Sequence, residues 1–342
     1  MKKFYLLPLS AIAVLFACTN PPKGSEETKT AEVYIEGEAQ GTTYHIKYID
    51  SNQTDYKKQF DSILLAIDQS VSSYLPTSLI SQLNNEKDTI VLDKIFKSVY
   101  LKSLEIGEKT DYAFDVTIAP VINAYGWGFK NKSTITPQLI DSLLQLVGVS
   151  NFKLSGDTLI KLLPNAMLDF NAIAQGYSAD LLADFLDQRN IQDYMVEMGG
   201  EVKTKGKNAE GERWRLGIDK PIEDAKSRTL SAILSLENEA LATSGNYRKF
   251  YEENGVKYSH TIDPISGYPV THTLLSASVV AKTSMEADGY ATAFMVIGLE
   301  KAKLILESNA ELDALLIYAD STGAFQAYTT PRLQEKITMI ND

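Results

Sequence analysis

Residues 194–281 constrain the fold most strongly, because they consist almost entirely of short strand-like segments separated by turns. Helical periodicity lies on either side of this block, with apolar residues three and four positions apart. It predicts helices over 56–71, 93–107, 136–148 (with a proline at the first helical position), 283–298, where Gly298 closes the helix, and about 300–308. Helices and strands are thus mixed without strict alternation, which predicts an α+β fold.

The other segments fit the same class. Alternating residues over 31–49 predict strands, and a helix is predicted over 172–188, entered from a short strand. Residues 313–320 and 325–330 predict a closing hairpin. We therefore expect one large domain of mixed helices and mainly antiparallel strands over residues 32–342, with a division into two lobes left open.

The N-terminus resembles a targeting segment. Two lysines precede an apolar run, residues 4–17, which is shorter than the roughly 20 residues that a membrane span needs. The run ends in LFAC, similar to a bacterial lipobox, and Cys18 is the only cysteine of the chain. We expect a lipoprotein signal peptide over 1–17, a lipidated Cys18 and a flexible tether over 18–31, which would hold the domain at a membrane of the cell envelope, on the periplasmic side. A plain signal peptide that contains a cysteine is the alternative.

Composition excludes two classes of function. The chain has 342 residues and a formal net charge of −11, so an interface for nucleic acid phosphates is not expected. Three histidines and one cysteine are too few for the usual Cys/His zinc clusters.

Asp288 and Thr292 form the most informative pair. Thr283 and Glu286 have the spacing of a capping box, which places a helix start there. Asp288 and Thr292 are then one turn apart on one face, among small residues. A carboxylate and a hydroxyl are oxygen ligands of the kind that Mg²⁺ prefers. The alternative is an ordinary polar stripe, in which Asp288 only complements the helix dipole.

Three further segments are weaker signals. Ala172, Ala174 and Gly176 leave a helix N-terminus uncovered, which favours phosphate binding, although a tight helix–sheet contact explains them equally well. His260 ends a strand before a turn, where it could act as a base or serve a structural role. Asp115 lies in apolar surroundings, where a buried, hydrogen-bonded carboxylate is the alternative to a functional one.

Taken in order, these segments resemble one family, the bacterial FAD:protein FMN transferases, also called ApbE-type flavin transferases. The resemblance extends over about residues 32–335. The matching segments are GTTYHI (41–46), SSYLPTSLISQLN (72–84), AFDVTIAPV (113–121), WGF (127–129), LDFNAIAQGYSAD (168–180), MGGEVKTKG (198–206), ATSGNYR (242–248), HTIDPISGYPV (260–270) and EADGYATAFMVIG (286–298).

The resemblance implies binding of FAD and Mg²⁺, and transfer of FMN from FAD through a phosphoester to a threonine or serine of an acceptor protein, with release of AMP. It implies that Asp288, Thr292 and the backbone carbonyl of Ala172 hold Mg²⁺. His260 and Asp288 are the implied catalytic residues. The implied FAD site comprises Gln40, Tyr74, Ala113, Phe114, Asp115, Asp169, Gln175 and His260.

Two positions depart from the pattern of the family. Gln40 stands where a methionine is usual, and Gln175 stands where a lysine could meet phosphate. Two other functions therefore stay open: hydrolysis of FAD to FMN and AMP by water, and a lipoprotein that binds flavin without catalysis.

Overall fold

The computed structural model describes residues 31–127, 133–221, 229–246, 250–253, 256–259 and 261–340. Cys18 and His260 lie outside the described residues. The chain from Ala31 onward forms one compact unit of mixed helices and antiparallel strands, which confirms the predicted α+β class in a single domain. No helix within the described residues is long and apolar enough to cross a membrane.

Sixteen strands occur in the described part of the chain, and half of them join one large sheet. The strands are β1 (Glu32–Ala39), β2 (Thr42–Ile49), β3 (Thr89–Val91), β4 (Phe152–Ser155), β5 (Thr158–Lys161), β6 (Tyr194–Met198), β7 (Glu201–Lys205), β8 (Trp214–Asp219), β9 (Leu230–Leu236), β10 (Ala240–Gly245), β11 (Phe250–Glu253), β12 (Val256–Ser259), β13 (Leu274–Ala281), β14 (Asp313–Ala319), β15 (Phe325–Thr329) and β16 (Ile337–Met339).

The large sheet is antiparallel throughout, in the strand order β1-β2-β6-β7-β10-β13-β14-β15. Buried and exposed residues alternate along strands such as β2, because helices cover one face of the sheet. In β2, Tyr44, Ile46 and Tyr48 are buried, whereas the residues between them are partly exposed. Part of the second face packs against the small sheet β16-β9-β8, through an apolar cluster that includes Val202 and Leu234.

Eight α-helices occur among the described residues. They are α1 (Lys57–Val71), α2 (Leu79–Asn85), α3 (Lys94–Lys109), α4 (Ala119–Tyr125), α5 (Pro137–Leu144), α6 (Ala174–Asp187), α7 (Ser284–Ser308) and α8 (Pro331–Gln334), with 3-10 turns at Val116–Ile118 and Val149–Asn151.

Most predicted elements are confirmed, and the differences have local causes. The helix predicted over 136–148 ends at Leu144, because the next residues form tighter i→i+3 turns, such as that from the N–H of Val147 to the carbonyl of Leu144. The strand predicted before α6 is wrong, since residues 166–170 have no regular secondary structure and join no sheet. The short strands β3, β4 and β5 and helix α4 were not predicted, because three to seven residues carry little periodicity.

Helix α7 begins where its capping box predicts. The N–H of Glu286 donates to the Thr283 hydroxyl at 3.2 Å, and that hydroxyl donates to the Glu286 carboxylate at 3.1 Å. Asp180 of α6 accepts the N–H groups of Ser284 and Met285, at 2.8 and 2.9 Å. The orphan donors of the first turn of α7 are therefore satisfied partly by α6, which couples the two helices.

The first part of α7 ends at Gly298, which has φ 76° and interrupts the helix. A Cβ at this glycine would lie 2.9 Å from the His272 ring. The ring accepts the Leu274 N–H at Nδ1 (3.3 Å), so Nε2 carries the hydrogen that it donates to the Met295 carbonyl at 2.9 Å. His272 thus satisfies a carbonyl that the helix break leaves without its usual partner.

Gly176 allows α6 and α7 to come into direct contact. A Cβ at this position would lie 2.4 Å from the Ser284 carbonyl oxygen and 2.8 Å from the Asp288 Cβ. Both are closer than real Cβ contacts, and a backbone atom cannot move aside as a flexible side chain does. The sequence therefore needs glycine here for packing between two helices.

We predict that Gly176→Ala lowers the free energy of unfolding by about 1–3 kcal/mol, because overpacking forces the helices apart. Chemical denaturation monitored by circular dichroism measures this loss. Gly156→Ala is the control, since a Cβ there contacts nothing within 4 Å and adds only the strain of a φ of +62°. Equal losses in the two variants would contradict a packing role for Gly176.

Candidate functional site

A cleft of about 780 Å³ opens beside the N-terminus of α6. A cavity of this size accommodates a cofactor-sized ligand. Its described lining contains one carboxylate and no lysine or arginine. The lining residues are Gln40, Gly41, Thr42, Leu65, Ile67, Asp68, Val71, Ser72, Tyr74, Leu75, Asn171, Ala174, Gln175 and Gly199.

Tyr74, Asn171 and Asp169 connect the cleft to the core. The Tyr74 side chain is 64% exposed, and its hydroxyl accepts a long hydrogen bond from the Asn171 amide at 3.5 Å. Asn171 also donates to Asp169 through its backbone N–H (2.7 Å) and its side chain (3.2 Å). Burial raises the pKa of Asp169, and these two bonds oppose that rise. The structure thus brings the predicted residues Tyr74 and Asp169 together through Asn171.

The N-terminus of α6 faces the cleft without a side-chain cap. Ile173 occupies the N-cap position and offers no side-chain acceptor, while Ala174 and Gln175 line the cleft. Gln175 packs against Gly199, where a Cβ would lie 3.1 Å from the Gln175 amide. The N–H groups of Ile173 and Ala174 donate to the Phe170 carbonyl, and that of Gly176 donates to Asp288, so it is the helix dipole that favours an anionic group at this end.

Gln40 takes part in the wall of the cleft and is held by two helices. Its Oε1 accepts the Ser178 hydroxyl of α6 at 3.0 Å, and its side chain also hydrogen-bonds Asp68 of α1. Burial raises the pKa of Asp68, and the bond from Gln40 opposes that rise. The residue that replaces the methionine usual at this position is thus a polar link between α1 and α6.

Asp288 is buried, with 6% of its surface exposed. Its Oδ2 accepts the N–H of Gly176 at 3.1 Å. Burial raises the pKa of Asp288, the bond from Gly176 opposes that rise, and the charge of Asp180 adds to it. One oxygen of the carboxylate therefore caps the Gly176 N–H in the first turn of α6, and an acidic residue lies nearby.

Thr292 lies one turn further along α7, as predicted. Its hydroxyl is 3.3 Å from that of Ser244 on β10. Ala172 lies in the turn directly before α6, at the same end of that helix as the Gly176 N–H that binds Asp288. The three predicted Mg²⁺ ligands are thus contributed by α7 and by the turn that leads into α6.

Glu201 is a second buried carboxyl residue at this site, and it was not among the site residues predicted from the sequence. It is 8% exposed, and its Oε2 has no hydrogen-bond partner. Burial raises the pKa of Glu201 well above its ordinary value, and the charge of Asp288 raises it further. Its acidic side chain directly after two glycines in MGGEVKTKG was the available signal, but only strand pairing shows which face of the sheet it occupies.

The donor atoms at this site suit a hard cation. A carboxylate, a hydroxyl and a backbone carbonyl form an all-oxygen donor set, which suits Mg²⁺. Glu201, with its unpartnered oxygen, and Asp288 are two buried carboxyl groups whose pKa values are raised by the cost of charging them, and a cation would offset that cost. The residues present therefore fit Mg²⁺, although no group of three or more His, Cys, Asp or Glu side chains in the described ranges is arranged to hold a metal alone.

The described lining of the cleft does not include the predicted residues Ala113, Phe114 and Asp115. Ala113 and Phe114 are buried, and Asp115 accepts the N–H and the hydroxyl of Thr117, at 2.8 and 2.6 Å. Asp115 is partly buried and caps the 3-10 turn at Val116–Ile118, and its place in an FAD site stays a prediction. The place of His260 in the site stays a prediction, because that residue lies outside the described ones.

Several known proteins are similar to this chain over most of its length. Residues 40–316 match the ApbE family. A protein of Haemophilus influenzae named FAD:protein FMN transferase is 35% identical over 323 residues, covering 89% of this chain and 93% of that protein. A protein of Vibrio cholerae with the same name is 31% identical over 334 residues, covering 95% of this chain and 96% of that protein.

Solved structures give the same result. The flavin transferase ApbE of Vibrio cholerae superimposes with a TM-score of 0.81 at 32% identity, covering 90% of this chain and 99% of that one. The apo flavinyl transferase ApbE of Pseudomonas stutzeri gives a TM-score of 0.79 at 30% identity, covering 90% of this chain and 96% of that one. The chain therefore belongs to the ApbE family.

Proposed function

We propose that this protein is an FAD:protein FMN transferase, which moves FMN from FAD to a threonine or serine hydroxyl of an acceptor protein. The proposal rests mainly on the cleft at the N-terminal end of α6, with the buried Asp288 carboxylate beside it. The names of the related proteins from Haemophilus influenzae and Vibrio cholerae support it.

The proposed reaction is a phosphoryl transfer. The acceptor oxygen forms a bond to the FMN phosphorus, the pyrophosphate bond breaks, and AMP leaves with the electron pair of that bond. The hydroxyl proton passes to a base, for which His260 is the residue implied by the family resemblance. Such reactions depend mainly on positioning and on compensation of phosphate charge.

The described residues supply positioning and part of that compensation. The dipole of α6 attracts phosphate oxygens toward its N-terminus, and the side-chain amide of Gln175 offers hydrogen bonds without a positive charge. Tyr74 and Leu65 give the cleft an exposed apolar wall for the rings of the substrate. Since the described lining contains no lysine or arginine, much of the phosphate charge is left for a cation to balance.

Mg²⁺ is the cation that we propose for this role. Asp288, Thr292 and the Ala172 carbonyl would hold it, and when bound it would act as a Lewis acid on phosphate oxygens. Asp288 is the only charged group of these three ligands. The Gly176 N–H fixes one of its oxygens, which leaves the other for the cation.

The full-length protein, purified in detergent, tests the function directly. It is incubated with FAD, Mg²⁺ and envelope proteins from cells that lack this chain. Covalent flavin fluorescence on a protein band together with released AMP is the expected result. Free FMN and AMP in equal amounts without a labelled band would indicate a hydrolase, and unchanged FAD would indicate a flavin-binding protein.

We predict that Asp288→Ala lowers the transfer rate by roughly 10²-fold or more, because the charged ligand that positions the cation is lost. Thr292→Ala removes a neutral ligand, so it should act mainly by raising the Mg²⁺ concentration required for half-maximal rate. The measurement is transfer rate against Mg²⁺ concentration. Glu300→Ala, an exposed acidic position in the second half of α7, is the control. Superimposable curves for parent and all three variants would reduce Asp288 and Thr292 to a polar stripe.

We also propose that the protein is a lipoprotein of the bacterial cell envelope, anchored to a membrane through Cys18 with its domain on the periplasmic side. The charged start, the apolar run and the single cysteine after LFA support this proposal.

Replacing Cys18 by alanine should remove the lipid anchor, so the variant should leave the membrane fraction or be retained only by an uncleaved signal segment. Cell fractionation combined with metabolic labelling by a palmitate analogue measures both outcomes. Equal labelling of the parent and of Cys18→Ala would show that the lipid is not attached at Cys18.

A further inference from the structure

Glu201 has a position that the proposed reaction does not yet use. It follows the turn Gly199–Gly200 and pairs with Met198 across β6 and β7. Directly opposite residues of an antiparallel pair point to the same face, and Met198 belongs to the core on the helix-covered face. The Glu201 side chain therefore points toward the helices rather than toward the small sheet.

The neighbouring strand places Glu201 close to the predicted metal ligands. Strands β7 and β10 pair Val202 with Leu241, so the next step of this register sets Glu201 opposite Ala242. Ser244 lies two residues further along β10, on the same face, and its hydroxyl is 3.3 Å from that of Thr292. Glu201 thus approaches the ligand-bearing turn of α7 from the sheet.

The contacts of Glu201 point to a missing positive partner. Its Oε2 is buried and lacks a hydrogen-bond partner, which is costly for a carboxylate. The nearby Gly176 N–H donates to Oδ2 of Asp288, so it serves that carboxyl group and leaves Oε2 of Glu201 without a donor. Helix α7, which carries Asp288 and Thr292, packs against both β7 and β10, so Glu201 and Asp288 lie at the same helix–sheet interface.

We propose that Glu201 is a second carboxylate of the cation site, shared with Asp288, and that it provides an oxygen ligand to a divalent metal ion. This inference rests on the proposed function, because it assigns a further residue to the same site. Two carboxylates on one ion would neutralise its charge within the protein, so the ion would be held before phosphate oxygens complete its coordination. The site would thereby favour a divalent over a monovalent cation.

The test measures metal binding without the acceptor protein. Mn²⁺, which is paramagnetic, is titrated into the full-length protein in the presence of FAD, and free Mn²⁺ is followed by electron paramagnetic resonance. The parent, Glu201→Gln and the control Glu36→Gln are compared. Glu36 is an exposed acid on β1, away from the described cleft lining.

Glu201→Gln should raise the dissociation constant for Mn²⁺ by about 10- to 100-fold, whereas Glu36→Gln should leave it unchanged. The melting temperature of the metal-free Glu201→Gln variant should equal or exceed that of the parent, because the substitution removes a buried ionisable group whose Oε2 lacks a hydrogen-bond partner. Added Mn²⁺ should stabilise the variant less than the parent. A merely structural glutamate would show the opposite pattern, with a lower melting temperature and unchanged Mn²⁺ affinity.

Failure of this inference is distinguishable from failure of the proposed function. Equal Mn²⁺ affinities in the parent and Glu201→Gln overturn the inference, whether or not FMN is transferred. A lower FAD affinity with unchanged Mn²⁺ affinity also overturns it. A parent that binds Mn²⁺ more tightly than Glu201→Gln but transfers no FMN supports the metal site and refutes the transferase.

Discussion

The contact between Gly176 and Asp288 joins two helices that belong to different parts of the sequence. Gly176 lacks the side chain that would separate α6 from α7, and its N–H donates to the buried carboxylate of Asp288. Asp180 adds a second link by accepting the N–H groups at the start of α7. This close approach positions the N-terminal end of α6, the cleft beside it and the face of α7 that carries Asp288 and Thr292.

Negative charge sets the chemistry of the site. Asp288 and Glu201 are buried close to each other, Asp169 is buried behind Tyr74, and Asp68 lines the cleft. Such a site would repel a pyrophosphate if it acted alone. The N-terminus of α6 offsets part of this repulsion, and a divalent cation brought with the substrate would offset more.

The two departures from the usual family pattern have different consequences. Gln40 links Ser178 and Asp68, so its uncharged amide connects α6 to α1. Gln175 lies in the cleft against Gly199, where its amide can reach a ligand but cannot neutralise phosphate. A chain with glutamine instead of lysine at that position relies more on its cation and on the helix dipole.

The sequence by itself determined the long helices, the start of α7 at its capping box, and the pair Asp288 and Thr292, because these depend on contacts within a few residues. It also carried the family resemblance. Only the tertiary structure decided that Asp115 caps a 3-10 turn, that Asn171 joins Tyr74 to Asp169, and that Glu201 faces α7. Those facts depend on strand register and helix crossing between distant segments, and a one-residue change in register would turn Glu201 to the other face of the sheet.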